Sequence, residues 1–96
     1  MAKCIIYAHK KKELTQNGSA VTGWKELDGS MYYFNEKEAY MTTGWEQIQG
    51  KWYYFKKDND GVNWSGPTGT VLRNVQNVWI ENKYYNFDVN GVCTNP

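Results

Sequence analysis

No run of about 18 apolar residues occurs in this 96-residue chain, which excludes a transmembrane helix. The only apolar stretch near the start, Cys4 to Ala8, is too short for the core of a signal peptide. A protein that acts outside a cell then arrives by another route, as a phage-encoded protein or a fragment of a secreted one. Charge of one sign is also lacking: 11 Lys+Arg face 10 Asp+Glu, for a formal net charge of +1. That balance argues against a nucleic-acid partner, which calls for a clustered basic face. The run Lys10-Lys11-Lys12 is too short to supply one. Two prolines and nine glycines exclude a collagenous or linker-like chain. Cys4 and Cys93 lie near opposite ends and read as small buried hydrophobes rather than a bridge. Aliphatic residues are sparse. What the chain has instead is five Trp, eight Tyr and three Phe, so aromatic rings are expected to supply most of the core.

The rings recur. Thr22 to Phe34 reads TGWKELDGSMYYF and Thr43 to Phe55 reads TGWEQIQGKWYYF, identical at seven of thirteen positions. A worn third copy follows, in which Asn74-Val75 takes the Gly-Trp place and Asn82 to Phe87 stands for GKWYYF. Its larger offset implies about nine inserted residues, assigned to Asp58–Pro67. Gln16 to Trp24 resembles the tail of a preceding copy, and Asp88 to Cys93 the tail of the last. The organisation expected is an N-terminal strand or hairpin with a partial repeat over 1–21, then copies at 22–42, 43–73 and 74–96.

Each copy reads as strand, two-residue turn, strand. Asp28-Gly29 is a strong type I′ hairpin signal, since both central residues need positive φ. Gln49-Gly50 and Asn82-Lys83 occupy the same place with weaker turn chemistry. Cys4 to Tyr7 reads as a further strand turning through His9–Lys12. The stretches 35–43 and 56–74 are polar or Gly-rich and read as loops, and no window has a helical apolar period. In the second strand Trp52 and Tyr54 face one side, and Tyr53 and Phe55 the other.

The recurring Gly-Trp, turn and Tyr-Tyr-Phe resemble the cell-wall-binding, or choline-binding, repeats of bacterial surface proteins and lytic enzymes. Related repeats occur in glucan-binding proteins and clostridial toxin receptor-binding domains. The resemblance covers roughly residues 16–93. It implies an all-β fold, a short solenoid of stacked β-hairpins, with ligand sites between hairpins formed by three aromatic rings. Carried over, it places Trp45 and Trp52 in one cage with Tyr84 or Tyr85, alignment with Tyr54 favouring Tyr85. Trp24 and Tyr54 would form a second cage, weakened because Met31 replaces the second Trp. In the third copy Val75 and Lys83 stand at the Trp positions, so no choline-like site is expected after it. Trp64 and Trp79 have no assigned place.

The implied partner is a choline-containing teichoic acid, or a cell-wall or host glycan, and the implied location is the bacterial cell wall. Ring faces hold quaternary ammonium groups through the quadrupole, and flat Trp surfaces also suit pyranose rings. A purely structural role for the rings is the third reading, with Tyr32, Phe34, Tyr53 and Phe55 expected in the core. No catalytic residue, cofactor or metal is expected. His9 sits beside lysines, Glu36 and Glu38 lie in a linker, and Asp58-Asn59-Asp60-Gly61 lacks the downstream Glu of a calcium loop. A chain with two good repeats is expected to pair its exposed ends as a homo-oligomer.

Overall fold

The structure, a computed structural model, describes residues 3–8, 11–16 and 19–96, with side chains from residue 21 onward. Its strands are β1 (Lys3–Ala8), β2 (Lys11–Gln16), β3 (Ser19–Ala20), β4 (Gly23–Leu27), β5 (Ser30–Phe34), β6 (Gly44–Ile48), β7 (Lys51–Phe55), β8 (Val75–Ile80) and β9 (Lys83–Phe87). All pairing is antiparallel: one three-stranded sheet β1-β2-β3 and three hairpins, β4-β5, β6-β7 and β8-β9. Among the described residues there is no helix, and hence none long and apolar enough to cross a membrane.

Left-handed backbone closes each hairpin. The turn pairs are Asp28-Gly29 (φ 52° and 83°), Gln49-Gly50 (51° and 80°) and Glu81-Asn82 (50° and 73°). Right-handed strand twist selects this geometry in two-residue loops. Outside glycine it costs roughly 1–2 kcal/mol per residue, less for Asn and Asp. The third turn therefore lies one residue before the expected Asn82-Lys83. Lys83 is already a strand residue paired with Ile80, as Lys51 is with Ile48.

That register moves other assignments in the third copy. Val75 pairs with Phe87 as Gly44 does with Phe55, so Val75 takes the glycine's place, not the tryptophan's. A register shift between Val75 and Val78 follows, with Asn77 at φ 56° and its N–H bonded to Asn86 Oδ1 at 2.8 Å. Tyr84, not Lys83, occupies the position of Trp52, and it pairs with Trp79 as Trp52 does with Gln47. A bulge adds a residue to one strand without changing its partner, so a single constant offset misaligns the copy.

A third pass of chain completes each repeat. Phe34 bridges Met41, Phe55 bridges Val71 and Phe87 bridges Cys93. Beside them Thr42, Leu72 and Thr94 donate their N–H to the carbonyls of Tyr33, Tyr54 and Asn86 at 2.9, 3.0 and 2.9 Å. The stretches expected to be loops thus return to the hairpin edge at Met41 and Val71. The step from Phe to its bridge partner is seven residues in the first copy and sixteen in the second, a difference of nine.

The chain forms two compact units, Met1–Thr42 and Thr43–Pro96. In the first, Cys4 to Tyr7 lie in β1, and Lys11 and Lys12 belong to β2, paired with Ala8 and Tyr7, rather than to a turn. His9, Lys10, Asn17 and Gly18 lie outside the described residues, as does the Cys4 side chain. A cluster of Val21, Tyr32, Phe34 and Met41 is buried there, with Leu27 packed against it. The second unit's cluster is Tyr54, Leu72, Val78, Ile80, Phe87 and Cys93. Phe34, Phe55 and Phe87 are fully buried, and Tyr32 and Tyr53 are also buried, as expected. The tryptophans stay out of the cores: Trp24, Trp45 and Trp64 are half-buried, Trp52 and Trp79 exposed. The degenerate copy buries aliphatic Val78 and Ile80, at the register positions of Glu46 and Ile48, so this core is more aliphatic than the composition suggests. Cys93 is a free, buried thiol, and burial pushes its pKa up.

Candidate functional site

The site lies within the second unit, where β6-β7 meets β8-β9. Strand alternation puts Trp45, Tyr54 and Trp52 on one face of β6-β7, and Val78, Ile80, Tyr85 and Phe87 together on one face of β8-β9. These two faces pack on one another. The Trp45 ring lies 4.7 Å from that of Tyr85 at 66°, and 6.0 Å from that of Phe87 at 29°. Within its own hairpin it meets Tyr54 at 5.2 Å and Trp52 at 6.3 Å, both edge-on. Edge-to-face contact at such distances is the favoured arrangement of aromatic quadrupoles. The same local pair recurs in the first copy, where Trp24 meets Tyr33 at 5.2 Å.

Beyond the packed rings a crevice of about 410 Å³ opens, lined by Trp45, Trp52, Tyr85 and Pro96. Trp52 is 38% exposed beside it. Its size falls in the range of roughly 300–1,000 Å³ common to small-molecule sites. The C-terminal segment is fixed nearby: Cys93 N–H donates to the Trp52 carbonyl at 2.8 Å, and the Asn95 side chain bridges Asn86 N–H and the Tyr84 carbonyl.

Two charges flank the rings. Trp45 donates its indole N–H to Glu81 Oε1 at 3.1 Å. The Lys83 ammonium lies 5.0 Å from the centre of the Tyr85 ring and donates to the Asn95 carbonyl at 3.3 Å.

Of the residues singled out in the sequence, Trp45, Trp52 and Tyr85 come together. Tyr85 does so for a reason other than alignment with Tyr54. It holds the register position of Tyr53, on the face of β9 that carries Phe87, and this face meets the preceding hairpin. Tyr84 is 56% exposed and pairs instead with Trp79, ring to ring at 4.7 Å. Tyr54 is 2% exposed and belongs to the core cluster, its hydroxyl donating to Asp60 Oδ2 at 2.8 Å. Trp24 and Met31, both half-buried, belong to the first unit. Pro96 and Glu81 escaped the sequence reading. Glu81 holds the first turn position, shared with Asp28 and Gln49, but its place beside Trp45 depends on how two hairpins stack.

The insert has a structural anchor. Asp60 accepts from Tyr54, from the N–H groups of Val62 and Lys57, and pairs with Lys56 at 3.1 Å. Burial alone would raise its pKa, but these donors outweigh it and hold the carboxyl at about 2. Burial, then the bond to Asp60 and the charges of Asp60 and Glu81, push the Tyr54 hydroxyl up. Asp58 accepts from Thr68. The carboxylates of Asp58 and Asp60 are thus engaged by protein donors. Trp64 packs against the core cluster, and its ring lies so close over Gly66 that a Cβ there would sit 2.1 Å from it.

Comparison with known proteins agrees with this geometry. The family described as choline-binding repeat matches residues 21–66. Choline binding protein F of Streptococcus pneumoniae, solved in the presence of a peptidoglycan analogue, is similar at a TM-score of 0.74 and 27% identity. The match covers 99% of this chain but 27% of that one. A choline binding domain from the same organism is similar at a TM-score of 0.61 and 28% identity, over 77% of this chain and 84% of that one. Alternansucrase in complex with isomaltononaose shares the fold at a TM-score of 0.57 and 22% identity, over 95% of this chain and 8% of that one. No curated protein sequence matches the chain. Residues 21–66 match the choline-binding repeat family, and the hairpin fold of the chain is similar to that of solved choline-binding proteins.

Proposed function

We propose that this chain is a non-catalytic module that attaches to a choline-decorated cell-wall polymer, such as a choline-containing teichoic acid, through the crevice of Trp45, Trp52 and Tyr85. The observation that carries this reading is the meeting of those three rings around an open crevice rather than in a sealed core. A quaternary ammonium head has no N–H to donate, so ordinary hydrogen bonding cannot grip it. Aromatic faces can, at about 0.5–2 kcal/mol per contact depending on desolvation. Three such contacts correspond to roughly millimolar affinity. Useful attachment then comes from engaging many choline groups on one polymer, where linked sites gain about 10²–10⁴ in avidity.

A wall glycan is the second reading. It is favoured by the exposed indole of Trp52 and by the similarity to a protein solved with a peptidoglycan analogue. Tryptophan fluorescence titration of the full chain separates the two. Choline is expected to perturb the spectrum near millimolar concentration, and Trp52→Ala to abolish that response. A response to wall oligosaccharide alone selects the glycan. Silence toward both reduces the rings to architecture.

A further inference from the structure

Glu81 holds the turn position of Asp28 and Gln49 in the third hairpin. It opens the β8-β9 turn at φ 50°, a left-handed position that favours Asn, Asp or Gly. Gln49 holds the corresponding position at φ 51°, so what distinguishes Glu81 is not its backbone but what its side chain reaches. The turn brings its carboxylate to the indole N–H of Trp45, one wall of the crevice, at 3.1 Å. An anion that accepts from an indole N–H has two effects. It pushes electron density into the ring whose face is offered to a ligand, and it adds its own negative potential at the site. Behind burial and Asp60, the same charge also helps push the Tyr54 hydroxyl up. Lys83, 5.0 Å from the centre of the Tyr85 ring, acts in the opposite sense, so the crevice would be biased against cations without a nearby carboxylate.

We propose that Glu81 is the specificity-determining residue of the Trp45–Trp52–Tyr85 crevice, tuning it toward quaternary ammonium groups over uncharged ligands. The assignment rests on the proposed function and deepens it. Glu81 acts on the ligand through Trp45 and through its field, without a hydrogen bond to the ligand.

The test compares choline with 3,3-dimethylbutan-1-ol, an uncharged alcohol in which carbon replaces the nitrogen. Fluorescence titrations use the full chain and its Glu81→Gln variant, which keeps an oxygen acceptor for the indole. The unmodified chain is expected to prefer choline. The variant should lose about threefold to tenfold in choline affinity while its affinity for the alcohol stays the same. Raising salt from about 0.05 to 0.5 M should weaken choline binding more in the unmodified chain than in the variant. Equal losses for both ligands would reduce Glu81 to a structural prop, and an unchanged choline affinity would remove its role altogether. If the variant does not fold, the unmodified chain alone decides: equal affinity for the two ligands, with no salt dependence for choline, overturns the proposal. Absence of any choline response in the unmodified chain overturns the ammonium reading itself, and this inference with it. Normal choline binding by both proteins removes only the part assigned to Glu81.

Discussion

Neighbouring tyrosines in β9 illustrate how much one position along a strand decides. Tyr84 and Tyr85 are chemically the same, yet alternation sends them to opposite faces. Tyr85 closes against Trp45, whereas Tyr84 stands 56% exposed beside Trp79. Tyr85→Leu is therefore expected to weaken choline binding by about tenfold, the equivalent of one ring contact. Tyr84→Leu should leave it within about twofold, since that ring lines no part of the crevice. Calorimetric titration of both variants checks this, and equal losses would show that the crevice is not where choline binds. The pairing of Trp45 with Trp52 was legible in the sequence because a Gly-Trp and a Trp-Tyr-Tyr recur in register. The choice of Tyr85 was legible only as one of two, and the alignment offered for it pointed at the wrong counterpart. What decides it is a face, and a face is fixed by strand register, which the bulge at Val75–Val78 hides from a linear comparison.

At the scale of the element, the turns were easy to place where Asp-Gly marked them and hard where Glu-Asn did. Asn82-Lys83 has the composition of a turn, but the cross-strand pairing of Lys83 with Ile80 claims the lysine for β9. The returning bridge residues Met41, Val71 and Cys93 carried no sequence signal, since a single paired residue has no periodicity. The insert was legible as extra length but not as structure. Its anchor, Asp60, makes a prediction. The folded carboxyl lies at about 2, below its ordinary value near 3.8, so its contribution is present above pH 4 and is lost as pH falls from about 4 toward 2. The shift corresponds to about 2 kcal/mol at neutral pH. Asp60→Asn should lower stability by about that amount at pH 7, and the gap to the parent chain should shrink as the medium is acidified. Denaturant melts at pH 7 and pH 3 measure both, and a pH-independent gap would refute the ionic account.

For the whole molecule, the sequence conveyed an all-β chain of hairpins, and the structure has that character in each of its two units. The split of the rings between core and surface was less visible. Phe and Tyr fill the interior, while Trp79 and Tyr84 remain 43% and 56% exposed. An exposed aromatic pair on a small protein favours association, and linked copies would supply the multiple sites that weak binding requires. The chain is expected to self-associate at micromolar concentration, with Trp79→Ser shifting it toward monomer. Gel filtration with light scattering tests this; a compact monomer for the parent chain removes the idea.

The bridges also explain how the second copy tolerates its long excursion. Phe55 and Val71 meet as Phe34 and Met41 do, although nine more residues lie between them. Roughly doubling a closed loop costs only about 0.6 kcal/mol in chain entropy. The framework therefore keeps a port at each return, where foreign peptide can be spliced in while the strands on either side stay in register. Grafts of comparable length between Asn35 and Tyr40, which already meet through a backbone hydrogen bond of 2.8 Å, would turn the first copy into a display site.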